Sequence, residues 1–175
     1  MLDNTESCAV IHSAASRFDL EKEVVRKMEK DYSEDTKSID SIIAATYAVI
    51  SGGKGEPRDW ERFRNLFHKD GRLIPSSRDE NGLIVSIAHT PDQYIARSEK
   101  FLLEKGFFEY ETERKTDTFG PIAQAFSRYE GRYKLDDPAP FLTGINSFQL
   151  MNDGKRWWVV SILWIPEHEI GDFRV

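Results

Sequence analysis

The chain has 175 residues, 12% of them aromatic, and a formal net charge of −6. This acidic balance argues against a general nucleic-acid binder, and no apolar run approaches the ~20 residues that a membrane-spanning helix needs. The first residues lack the basic and apolar regions of a signal peptide, and Cys8 is the only cysteine. We therefore expect a cytoplasmic protein of one ordinary-sized domain plus a tail.

Residues 1–34 are expected to form a polar tail and an amphipathic helix. Between Phe18 and Tyr32, apolar residues recur at helical spacing within a charge-rich stretch. Such a helix can lie on the domain as a solvated helix with one apolar edge, or it can face a partner protein. Residues 35–175 are expected to form the folded domain.

Three helices are predicted in the first half of this domain. An apolar stripe predicts the first over Ile39–Ile50. The second opens at Asp59 and is expected to stop at Gly71. The third begins at a capping box formed by the TPDQ sequence of residues 90–93, and it ends by Gly106.

After Gly106 the apolar period changes from that of a helix to that of a strand. The predicted strands cover residues 107–116, 122–133, 143–151 and 157–165, and a short hairpin covers residues 72–88. Helices followed by a run of antiparallel strands are typical of an α+β fold, with the helices gathered on one face of the sheet.

The last hairpin predicts which side chains share a face. If Gly154 closes a three-residue loop, the face toward the helices contains Asn146, Phe148, Leu150, Trp158, Val160, Ile162 and Trp164. The opposite face then contains Trp157, Val159 and Leu163, which is too apolar for a solvated face. We therefore predict a homodimer through this outer face.

Three segments carry a resemblance to a known family: IIAATYAVISGG (42–53), DWERFRNLFHKDGRLI (59–74) and GINSFQLMNDGKRWWVVSILW (144–164). They resemble the nuclear transport factor 2-like superfamily, in particular its branch of polyketide cyclases, ketosteroid isomerases and lumazine-binding proteins. The resemblance implies a cone-shaped, strongly curved mixed or antiparallel sheet with three helices on its concave face. It does not imply one activity, because this fold hosts enzymes, binding proteins and assembly modules.

The comparison with ketosteroid isomerases can be made residue by residue. Tyr47 matches the tyrosine that donates to the oxyanion in that family, and Asn146 replaces its second donor, a protonated aspartic acid. An amide can also donate to an oxyanion. The stretch that matches the family's general base, residues 73–77, contains no carboxylate. We therefore do not expect the isomerase reaction.

The sequence favours an aromatic-lined pocket for a small apolar or aromatic organic molecule. The predicted ligand-binding residues are Tyr47, Tyr94, Asn146, Phe148, Trp158 and Trp164. Asn146 is the polar residue among them, and it can equally be a buried amide satisfied by its neighbours.

Two alternatives remain open. One is a cyclase, isomerase or dehydratase in which His89 or His68 acts as general base, with Asp70 orienting His68. Without a catalytic role, His89 would be a histidine at the rim of the fold, and His68 and Asp70 would lie at the end and turn of the second helix. The other alternative is a dimeric interaction module without catalysis. No cofactor or metal is expected, since the sequence contains no phosphate loop or metal-ligand motif.

Overall fold

The computed structural model describes residues 30–171. The described residues belong almost entirely to the compact unit that begins at Tyr32. The polar tail, and all but the last three residues of the helix predicted over 18–32, lie outside the described part. Within that part, no helix is long and apolar enough to cross a membrane.

The described residues form one 3-10 helix, four α-helices and six β-strands. In chain order these are the 3-10 helix Ser33–Thr36, α1 (Ile39–Ile50), α2 (Trp60–Leu66), β1 (Phe67–Arg78), β2 (Ile84–Ser86), α3 (Pro91–Lys105), β3 (Phe108–Phe119), β4 (Ile122–Arg132), β5 (Leu142–Asn152), β6 (Trp157–Pro166) and α4 (Glu167–Ile170).

Local sequence signals set the starts of α1 and α3. Ser38 and Ser41 form a capping box at α1, each side chain bonding the backbone N–H of the other. The predicted capping box of α3 is present: Gln93 N–H donates to Thr90 Oγ1 at 3.2 Å, and Thr90 N–H donates to Gln93 Oε1 at 2.8 Å. These bonds satisfy backbone donors that have no partner inside the helix.

Arg58 joins the C-terminal ends of α1 and α3. Its buried guanidinium donates from Nε to the Ile50 carbonyl at 2.8 Å, and from Nη2 to the carbonyls of Gly52 and Leu102 at 2.7 and 3.3 Å. The last carbonyls of a helix lack partners within the helix, and Arg58 supplies a donor at both ends. The Gly52 and Leu102 carbonyls also accept from the backbone N–H groups of Phe107 and Gly106.

The second helix ends at Leu66, not at Gly71 as predicted. Phe67 already pairs with Val159 of β6, and the register between these strands shifts between Phe67 and Arg72. Gly71 lies in this irregular segment, where a Cβ would lie 2.8 Å from the carbonyl oxygen of His68. The glycine therefore permits a tight bend within β1 instead of ending a helix.

The six strands form one mixed sheet in the order β2-β1-β6-β5-β4-β3. β1 and β6 are parallel, and all other neighbours are antiparallel. The hydrophobic core lies between the helices and one face of the sheet. Its fully buried members include Ile42 and Ile43 of α1 and Phe148 of β5. The predicted α+β class is confirmed.

A bulge in β6 changes the predicted faces of the last hairpin. Gln149 pairs with Ser161, but Leu150 pairs with Val159, so Val160 is an extra residue. Ile162 and Trp164 keep the inner face. The extra residue exchanges the faces of residues 157–159, because side chains alternate along a strand.

The predicted positions of three side chains are therefore wrong. Trp158 lies on the outer face, where its Nε1 donates to Asp153 Oδ2 at 2.9 Å and Arg156 stacks 3.8 Å above its ring. Val159 is fully buried and Trp157 packs against the core, so neither can serve the outer-face contact predicted for it. Leu163 alone of the predicted contact residues lies on that face, 44% exposed.

Candidate functional site

A cavity of about 320 Å³ lies between the helices and the inner face of the sheet. Its aromatic lining residues are Tyr47, Phe63, Tyr94, Phe101, Phe107, Tyr129, Phe148 and Trp164. Five of the six predicted ligand-binding residues line this cavity, and they come from α1, α3, β5 and β6. The sixth, Trp158, does not, because the bulge in β6 turns it to the outer face.

Tyr47 and Asn146 are bonded to each other at the cavity wall. Asn146 Nδ2 donates to the Tyr47 hydroxyl at 3.0 Å, and the hydroxyl lies 2.6 Å from Ser127 Oγ. Ser127 Oγ in turn donates to Glu111 Oε1 at 2.7 Å. The three polar side chains that face each other from α1, β4 and β5 therefore form a continuous relay that ends at a carboxylate.

The direction of this relay follows from its carboxylate end. Glu111 Oε1 lies 3.4 Å from Arg114 Nε, and an ionised carboxylate only accepts hydrogen bonds. The single proton of Ser127 therefore goes to Glu111, and Tyr47 must donate to Ser127. Tyr47 consequently has no proton left for a ligand oxygen, unlike the tyrosine that it matches in the isomerase comparison.

Burial raises the pKa of Tyr47 above its ordinary value, and the charges of Glu109 and Glu111 add to the rise. The hydrogen bonds that Tyr47 makes with Ser127 and Asn146 act in the opposite direction. Burial likewise raises the pKa of Tyr94 and Tyr129, and the nearby Glu109 adds to both effects. All three phenols remain neutral at physiological pH. These three side chains therefore line the cavity with aromatic surface and add no charge to it.

Glu109 is the site residue that the sequence reasoning missed. It lies near the start of β3, half-buried and lining the cavity, and its Oε1 accepts a hydrogen bond from Asn146 Nδ2 at 3.3 Å. Burial raises the pKa of this carboxyl to about 8, although the bond from Asn146 acts to lower it. Its backbone is fixed by Ser51, whose Oγ accepts from Glu109 N–H at 3.0 Å.

Glu109 and Glu111 are two carboxyls with different surroundings. Glu111 is paired with Arg114, which also reaches Asp40 at 2.5 Å. The ion pairs among the described residues do not include Glu109. The structure thus keeps Glu111 in an ion pair and leaves Glu109 without an ion pair among the described residues, in an aromatic cavity.

A second hollow, of about 350 Å³, lies between α1 and β3 and shares Tyr47 and Glu109 with the first. Its other lining residues include Ala44, Ala48 and Leu135. It contains fewer aromatic rings than the first cavity, so the first is the better candidate for an apolar ligand.

The residues predicted for histidine catalysis do not line the aromatic cavity. His68 lies near Asp70, with 3.8 Å between Nδ1 and Oδ2, and its ring contacts that of Trp158 on the outer side of the sheet. His89 pairs through its backbone with Leu73. Its Nε2 is buried and has no hydrogen-bond partner among the described residues. The described residues also contain no cluster of three or more metal-ligating side chains.

No family model and no curated protein sequence matches the chain. Solved structures, in contrast, match the chain. A Nostoc punctiforme protein of unknown function with a cystatin-like fold matches at TM-score 0.56 and 11% identity, over 74% of this chain and 88% of that chain. A nuclear transport factor 2-like protein of unknown function from Silicibacter pomeroyi matches at TM-score 0.50 and 14% identity, over 74% and 92% of the two chains.

A third structure comes from Xanthomonas campestris and is inferred to be a calcium/calmodulin-dependent protein kinase II association domain. It matches at TM-score 0.53 and 17% identity, over 75% of this chain and 86% of that chain. At these identities the likeness concerns the fold alone. The chain has a nuclear transport factor 2-like fold, as its resemblance to that superfamily predicted.

Proposed function

Because a nuclear transport factor 2-like fold here encloses an aromatic-lined cavity, we propose that this cavity binds a small organic molecule with a largely apolar body. The observation that carries the proposal is a volume of about 320 Å³ with eight aromatic rings in its lining. That volume lies at the lower end of the range typical of ligand pockets, which is roughly 300–1,000 Å³.

The polar groups of the cavity are few and fixed in place. The amide hydrogens of Asn146 are directed to Tyr47 and Glu109, and the Tyr47 proton is directed to Ser127. This relay holds the wall of the cavity in one arrangement and leaves Glu109 as its principal polar contact for a ligand. Neither histidine lines the cavity, so we propose binding in preference to histidine acid–base catalysis.

Binding of 1-naphthylmethanol, followed by isothermal titration calorimetry, tests this proposal. Ser98 lines the cavity from α3, so Ser98→Trp should obstruct it and reduce the affinity at least about tenfold. Ala96 is exposed on the same helix and does not line the cavity, so Ala96→Trp is the matched control. Equal binding by both variants, or no binding to the parent protein, contradicts the proposal.

The outer face of the sheet supports a second proposal, a homodimer. Ile74, Leu163, Ser147 and Phe126 stand in register on four successive strands, β1, β6, β5 and β4. Leu163 and Phe126 are 44% and 48% exposed. A row with exposed apolar side chains at Leu163 and Phe126 can match its own copy across a two-fold axis. The shared fold of an inferred association domain is in keeping with such an assembly.

Sedimentation equilibrium tests the dimer. Phe126→Lys should convert the dimer to a monomer at micromolar concentration, because a charge would be buried at the centre of the contact. Leu135→Lys, at a loop position that is 72% exposed, should leave the dimer intact. A parent protein that sediments as a monomer contradicts this proposal.

A cytoplasmic location is likewise proposed, because a chain with a single cysteine cannot form an internal disulfide and suits a reducing compartment.

A further inference from the structure

We propose that the ligand of the aromatic cavity is a protonated organic amine, and that Glu109 is its counter-ion. This inference rests on the proposed function and adds a chemical class to it. It starts from the one ionisable acid that lines the cavity without a basic partner.

The hydrogen bonds around Glu109 leave acceptors and few donors facing the cavity. Both amide hydrogens of Asn146 are used, one on Tyr47 and one on Glu109. The Tyr47 proton is used on Ser127. A ligand that enters the cavity therefore meets the oxygen of the Glu109 carboxyl that Asn146 does not bind. An N–H group of the ligand can donate to this oxygen, whereas a carboxylate on the ligand would be repelled by it.

The aromatic walls favour the same class of ligand. Tyr94 and Trp164 meet edge to face with their ring centroids 6.2 Å apart, and Phe148 stands at 6.2 Å from Tyr47 in a similar arrangement. Ring faces attract ammonium groups through their quadrupole, and this attraction is greatest where water is excluded. A carboxylate surrounded by such rings is suited to a cation with an apolar body.

The charged and titratable groups around Glu109 are compatible with a bound cation. Tyr47 of α1, Tyr94 of α3 and Tyr129 of β4 are neutral phenols near Glu109, and Glu111 of β3 is already paired with Arg114. Arg97 of α3 also lines the cavity, but it is exposed, so water screens its charge. If Arg97 governed recognition instead, the preferred ligands would be organic acids.

Binding of an ammonium group must be coupled to proton release. Glu109 has a pKa of about 8, so most of the free protein carries this proton at pH 7. The ammonium binds the ionised carboxylate, and the carboxyl proton passes to the buffer. The affinity for the amine should therefore rise about ninefold from pH 6 to pH 7 and about fivefold from pH 7 to pH 8, and then level off.

The test compares three probes of one shape: 1-naphthylmethylamine, 1-naphthylmethanol and 1-naphthoic acid. At pH 8.5, calorimetry should show the amine binding at least about tenfold more tightly than the alcohol. Glu109→Gln keeps the shape of the side chain and removes its charge, so it should abolish this preference and bring the two affinities to within about threefold of each other. Glu113→Gln, on the outer side of the same strand, should preserve the preference.

Proton release supplies a second readout that needs no variant. Titrations of the amine at pH 7, in buffers of different ionisation enthalpy, should report close to one proton released per ligand. Equal binding of amine and alcohol, or tighter binding of the acid, overturns the assignment of an amine but leaves a binding cavity in place. Failure of all three probes to bind contradicts the proposed function itself, and this inference with it.

Discussion

Replacing Glu109 with glutamine should stabilise the protein at alkaline pH and leave its stability almost unchanged near pH 5. The reason is that the folded protein holds this carboxyl in its neutral form. Its pKa rises from an ordinary value of 4.5 to about 8 because the group is buried in the aromatic cavity. The unfolded chain ionises at the ordinary value.

The direction of the effect follows from proton binding. Below pH 4.5 both states keep the proton, and Glu109 imposes no ionisation cost. Between pH 4.5 and pH 8 the unfolded state loses its proton first, so the folded state loses relative stability as the pH rises. At 1.36 kcal/mol per pH unit the full effect is at most about 5 kcal/mol. Glu109 is only half-buried, so we expect roughly half of that, about 2–3 kcal/mol.

Urea denaturation at pH 5, 6.5, 8 and 9 measures the effect. The difference in unfolding free energy between Glu109→Gln and the parent protein should grow by about 2–3 kcal/mol from pH 5 to pH 9. Glu113→Gln removes the same charge from an exposed position of β3, and its difference should stay flat. A flat profile for Glu109→Gln as well would refute the burial of a neutral carboxyl in this cavity.

Three further substitutions test the packing around the cavity by urea denaturation. Ser127→Ala interrupts the buried relay and should cost about 1–3 kcal/mol, and a loss no larger than that of the half-buried Ser147→Ala would contradict the relay. Arg58→Met removes the side-chain donor of the Ile50 carbonyl and should cost about 1–3 kcal/mol, so an unchanged unfolding free energy would contradict that role. Phe148→Ala removes a fully buried ring and should cost about 3–5 kcal/mol, and a loss below about 1 kcal/mol would contradict its place in the core.

The parts of the fold that the sequence predicted are those with local signals. The capping box at Thr90 and the end of α3 at Gly106 are set by neighbouring residues, and both are present. The change from helical to alternating periodicity located β3 to β6 to within a few residues. The end of α2 was missed because the pairing of Phe67 with Val159, almost a hundred residues away, decides it.

The errors at the site have one cause, which is that strand register is not a local property. A single bulged residue, Val160, moves Trp158 to the outer face and Val159 into the core. Alternation along β5 was sufficient to place Asn146 and Phe148 on the inner face, and alternation along β6 after the bulge placed Trp164 there.

Glu109 gave no usable signal, because its strand, FEYETERKTDTF, contains charged residues on both faces. Its neighbour Glu111 faces the same way and is paired, and only the pairing of β3 with β4 shows which side faces the cavity. The relay through Ser127 was equally hidden, since it joins residues that are 80 positions apart in the chain.

A crystal structure of the protein grown with 1-naphthylmethanol shows whether the aromatic cavity binds a ligand with an apolar body. We expect the naphthyl ring in the cavity, in contact with Tyr94 and Trp164, and its hydroxyl directed to the carboxyl of Glu109. A cavity closed by side chains, or a probe bound only elsewhere on the molecule, would contradict this expectation.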